Sequence, residues 1–158
     1  MVPQRLITPP ERRRTRLLGV AAAVLAAEAV WGLAVLVLGI RLQAPAGTGY
    51  PEPVDIGPLN VALASVVLSL VGWAVLATLE RLTPHARRIW LVLALVALAA
   101  SLAMPLSGTG VGAANRAVLV LMHVAVAAVL IPVLHRTSPA RLPHPAQVPS
   151  ALAQGEAA

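Results

Sequence analysis

The chain has 158 residues, 58% of them hydrophobic, with a mean hydropathy of +0.82, a formal charge of +6 and no cysteine. That composition excludes a soluble core, and the missing cysteine excludes disulfides, thiolate metal sites and thiol catalysis. All twelve basic residues are Arg and aromatics are only 3%. Most of the Arg flank apolar runs, where membrane orientation and anionic lipid headgroups account for them, so nucleic acid is not an expected partner.

Residues 1–16 are polar and basic and end in Arg12, Arg13, Arg14 and Arg16, which reads as a cytoplasmic anchor. Leu17–Ile40 is then the first apolar run, interrupted only by Glu28, and is long enough to cross a bilayer with some tilt. Its Leu, Ile and Val residues outweigh the roughly +2.5 to +3.5 kcal/mol expected for one central charge. A cleaved signal peptide is weighed and set aside, because the run exceeds a signal's apolar region.

Arg41 to Pro58 is dense in Pro and Gly and predicts an irregular loop. Leu59–Leu79 is the second span and exits through Glu80 and Arg81 into a short basic loop carrying His85, Arg87 and Arg88. The third span, Ile89–Leu106, is the shortest, and Pro105 is expected to end it. Ser107–Asn115 reads as a flexible Gly-rich connector, and residues 117–134 supply the fourth span, where Pro132 predicts a kink or an early end. Residues 135–158, Pro- and Ala-rich, are expected to form a disordered cytoplasmic tail.

Ten Arg, including Arg81, Arg87, Arg88 and Arg136, fall on one side of this arrangement, against Arg41 and Arg116 on the other. The expected fold is therefore an all-α bundle of four transmembrane helices, two helical hairpins with both chain ends in the cytoplasm. Arg without Lys, with abundant Ala, Gly and Pro, points to a bacterial plasma membrane.

Two residues could carry chemistry. An ionisable side chain within a span is a functional-site hypothesis by default, which singles out Glu28. His123 on the fourth helix lies at a matching depth and could hydrogen-bond it. The pair reads either as a proton-titrating or cation-binding site, or as interhelical glue. Gly19, Ala23 and Ala27 on the first helix, Ser65, Ser69 and Gly72 on the second, and Ser101 on the third read as packing faces. The serines are expected to bond backbone carbonyls. Trp31 and Trp73 read as core residues and Trp90 as a member of the interfacial belt. His85, His135 and His144 read as solvated. Walker lysine, HExxH, CxxC and nucleophile-elbow patterns are missing from the sequence, and no cofactor or metal is expected.

Gly72-Trp73, Leu79-Glu80-Arg81, Arg88 with Trp90, Ser101-Leu102 with Pro105-Leu106, and Met122-His123 with Ile131-Pro132 are a set that resembles a family. It is a family of small actinobacterial four-helix membrane proteins of unknown function, and the resemblance covers roughly residues 59–134. It implies the four-helix topology and no activity. The expected role is a non-enzymatic accessory or structural component of the cell envelope, contacting a membrane-protein partner or a second copy. The rival is a small proton-coupled transporter or channel using Glu28 and His123.

Overall fold

In the computed structural model, residues 9–47 and 51–138 are described. Four helices make up the bundle: α1 (Pro9–Gly32), α2 (Pro58–Leu82), α3 (Ala86–Ser107) and α4 (Ala113–Thr137). Each is long and apolar enough to cross a membrane, and the protein is an all-α, multi-pass membrane protein. Around the bundle the helices follow chain order. α1 packs most extensively on α4 and then on α2, and α3 closes the ring against α4 and α2.

α1 begins at Pro9, well before Leu17, so the arginine cluster is part of the first helix. Proline is tolerated in a first turn, where the N–H it lacks has no partner anyway, and Glu11 suits the positive end of the helix dipole. This places Arg16 on a face of α1 that meets both α2 and α4. At its far end α1 widens into a π turn, Leu33–Val37, after which Gly39 takes a positive φ of 65° to break the helix.

The loop between α1 and α2 is not irregular as expected. Gln43–Ala44 (β1) pairs antiparallel with Val54–Asp55 (β2), with Gln43 opposite Asp55. Pro and Gly do exclude a helix there, but a two-residue ladder needs only one reversal of the chain. The connector between α3 and α4 is stitched to this hairpin by reciprocal Ala46 and Thr109 backbone hydrogen bonds of 3.1 and 3.3 Å. Gly108 lies so close to Pro45 that a side chain there would collide with it. Arg116 then donates to the carbonyls of Leu106 (2.6 Å) and Gly108 (2.7 Å), which covers free acceptors at the end of α3.

Neither proline ends its helix. α3 continues past Pro105 to Ser107, and α4 continues past Pro132 to Thr137. In α4 the last turn is held from outside, because Leu134 is fully buried and Thr137 takes part in a buried contact with α1. Residues 135–137, expected in the tail, therefore belong to α4. Residues 139–158, with Arg141 and His144, and residues 1–8, with Arg5, lie outside the described part.

The buried side chains are mostly small or aliphatic, in two clusters. One at the basic end contains Val20, Ala23, Leu76, Trp90, Leu130 and Leu134. The other, towards the β-hairpin, contains Ala27, Ala34, Val61, Val118, Leu119 and Met122. Small residues on α1 let α4 approach, and Gly19 is the tightest point: a Cβ there would stand 2.5 Å from Val133 Cγ1. Gly19→Ala should cost about 1–3 kcal/mol in detergent-solubilised unfolding, and Val133→Ala in the same chain should restore most of it. An unchanged melting temperature in the single variant would contradict this packing.

Candidate functional site

The most heavily bonded polar side chain near a membrane boundary is Arg16, at 4% exposure. Its guanidinium donates to both carboxylate oxygens of Glu80, from Nη2 at 2.6 Å and from Nη1 at 3.3 Å. It also donates to Thr137, from Nε to Oγ1 at 3.0 Å and from Nη2 to the carbonyl at 3.1 Å. One residue of α1 thus clamps the last turns of α2 and α4 together. Reading Arg16 only as a determinant of orientation missed this. The available signal was an acid, Glu80, at the same boundary as the arginine cluster.

Glu28 and His123 do lie at similar depth, twelve residues from Arg16 and fourteen from Thr137, or about 18 and 21 Å along their helices. No hydrogen bond or ion pair joins them. His123 Nδ1 lies 2.7 Å from the Leu119 carbonyl of its own helix. Glu28 Oε1 is buried without a hydrogen-bond partner. The ring faces a cavity to which α1 contributes only Ala27. Among the described residues no group of three or more His, Asp or Glu side chains comes together to hold a metal ion.

That cavity, about 520 Å³, lies between α2, α3 and α4 and extends to the β-hairpin. Its walls are apolar apart from a few groups such as Ser65, Ser101, His123 and Asn60, with Asp55 at the hairpin. Of the residues read as packing faces, Gly19, Ala23, Ala27, Ser65 and Ser69 are buried, and Gly72 faces Leu130. Ser101 lines the cavity and bonds the Leu98 carbonyl at 2.7 Å. Ser69 departs from expectation, since its buried hydroxyl has no partner.

Trp31 and Trp73 pack against the two apolar clusters, as the sequence reading has them. Trp90 is buried within the bundle, and its indole N–H bonds the Gly72 carbonyl of α2 at 2.9 Å. Trp31 bonds the Ile56 carbonyl at 2.9 Å, which joins α1 to the segment after β2. Trp73 lines a second cleft with Arg12, Arg13 and Arg16. Arg14, Arg81, Arg88 and Arg136 are exposed. Arg87 donates to His135 Nε2 at 2.9 Å, so that histidine is not simply solvated.

Two more side chains organise the β end. Asn115 is buried and completes a two-way pair with the Gln43 backbone, accepting from its N–H at 2.7 Å and donating to its carbonyl at 2.8 Å. Asp55 accepts from the Gln43 amide at 2.8 Å and from Arg41 at 3.3 Å. The Gln43 hydrogen bond foremost, and Arg41 after it, hold its carboxyl below the usual range.

Removing one partner of a buried ion pair leaves the other charge unmatched. Glu80→Ala should therefore cost about 3 kcal/mol of unfolding free energy in detergent, while Arg16→Met with Glu80→Leu recovers most of the loss. Equal stability of Glu80→Ala and wild type would show the clamp to be energetically idle.

No curated protein and no solved structure matches the chain. A family model does, over residues 7–140, which brings α1 inside the match along with the helices that carry the sequence resemblance. The chain belongs to that family, the family of unknown function DUF6069.

Proposed function

We propose that this protein is a non-enzymatic accessory or structural component of a bacterial plasma membrane. Both chain ends lie in the cytoplasm, and it works through helix packing and contact with a membrane-protein partner or a second copy. The orientation follows from the Arg asymmetry: Arg12, Arg13, Arg14, Arg81, Arg87, Arg88 and Arg136 then lie beside anionic headgroups of the inner leaflet.

The observation that carries this reading is where the polar side chains of the spans spend their hydrogen bonds. Arg16 binds both Glu80 and Thr137, Trp90 binds the α2 backbone, Asn115 binds Gln43, and His123 binds its own helix. These contacts brace the bundle. A proton-coupled transporter would instead need Glu28 and His123 in one hydrated site. The cavity His123 lines is largely apolar and Glu28 is not among its lining residues, which weighs against that rival.

Reconstituted into liposomes holding a pH-sensitive dye, the protein should let an imposed proton gradient decay no faster than protein-free vesicles do. Glu28→Gln should leave that decay unchanged. A flux present in wild type and lost in Glu28→Gln would overturn the accessory reading in favour of transport. Orientation is tested on the cysteine-free chain: Val111→Cys should react with an impermeant maleimide in intact cells, and His85→Cys only after permeabilisation. The reverse pattern would invert the topology.

A further inference from the structure

The cavity between α2, α3 and α4 has a length and a direction. On α2 its lining runs from Asn60 to Val75, which spans about 22 Å of helix. A volume of about 520 Å³ drawn out over that length makes the cavity a long, narrow slot, suited to an extended hydrocarbon chain and not to a compact ligand. The slot exists because its walls carry Ala64, Ala94, Ala97, Ala127 and Gly72 where larger side chains would fill it. Leu68, Val71 and Leu93 line it and are also exposed, so it opens sideways towards lipid.

Polarity is confined to one part of the slot. Near the basic end the lining is Val71, Val75, Leu130 and Ile131, with the buried Trp90 beside them. Towards the β-hairpin come Ser65 and His123, at matching depth, then Ser101, Asn60 and Asp55. With its Nδ1 hydrogen directed to the Leu119 carbonyl, His123 keeps Nε2 as an acceptor for a hydroxyl. No Arg lines the slot, and Arg41, the cation next to it, is already paired with the one lining carboxylate, Asp55, so an anionic head would find no unpaired counter-charge.

We infer that this slot binds a single-chain amphipathic lipid with an uncharged, hydroxyl-bearing head. The head rests between Ser65, Ser101 and His123, and the chain runs towards Trp90. The inference goes beyond the accessory role and does not depend on it, since it needs only the folded bundle.

The test uses a monoacylglycerol with a photoactivatable diazirine in its chain, added to the full-length protein in liposomes, with adducts mapped by mass spectrometry. Expected are adducts on the slot-lining residues that saturate with probe and are displaced by unlabelled monoacylglycerol at lower concentration than by palmitate. Ser65→Ala with His123→Leu should raise the displacing concentration about tenfold, the effect of losing one or two hydrogen bonds. Ala94→Phe with Ala97→Phe should abolish slot adducts while leaving those on the lipid-facing Leu25 and Leu36 of the first span. Should that bulky pair fail to insert, saturation and head-group competition in the other two proteins still separate a bound lipid from a surrounding one. Labelling that rises linearly with probe and treats the slot like the Leu25 and Leu36 face would mean annular lipid only and overturn the proposal. Palmitate displacing as well as monoacylglycerol would overturn the assignment of the head.

Discussion

The bundle depends on a single guanidinium placed where three helices end. Arg16 is buried at the basic end of α1, and its hydrogen bonds to Glu80 and Thr137 fix the last turns of α2 and α4 against α1. In lipid the apolar surfaces of helices have little preference for one another over acyl chains, so close packing and directional polar contacts select the arrangement. A bidentate arginine–carboxylate pair is directional and strong, but only while both members are present. The clamp sets the relative height of α1, α2 and α4. From that height follow the Gly19–Val133 approach and the stacking of the two apolar clusters.

At the β end the same task is distributed over weaker contacts. The hairpin lies between α1 and α4, held by Trp31 to Ile56 on one side and by Asn115 to Gln43 on the other. Arg116 and the Ala46–Thr109 pair fasten the second loop beneath it. Backbone outside a helix carries unpaired N–H and C=O groups that are costly near hydrocarbon, and these side chains supply the partners. The two Arg that lie away from the basic end, Arg41 and Arg116, are both used here, one on Asp55 and the other on α3 carbonyls.

α3 is outside the clamp, and the slot is the result. Its tie to α2 within the spans is the Trp90 to Gly72 hydrogen bond near the basic end. Beyond that point its small residues leave space facing α2 and α4. Tight packing on the α1 side and open packing on the α3 side come from one sequence strategy. Small residues bring helices together where a polar contact pins them, and leave a cavity where none does. The accessory reading draws on the first effect and the lipid-binding inference on the second.

Hydropathy and Arg placement determined four membrane-length helices and the loops between them, because each signal is local and sums over many residues. The depth of Glu28 and His123 was equally legible, since rise per residue is constant along a helix. Their failure to meet was not, because the azimuth at which each side chain leaves its helix relative to a neighbour depends on packing. Arg16, read in sequence as one of several like arginines, became the clamp once the helix was seen to start at Pro9 and to carry it inward. Pro105 read as a helix end and Pro132 as a kink or an early end, yet contacts from other elements held the turns after them. The sequence alone thus determined what crosses the membrane and where the charge lies. Only the tertiary structure decided which polar groups pair and where space is left, because these depend on helix rotation and neighbour identity, which no local pattern encodes.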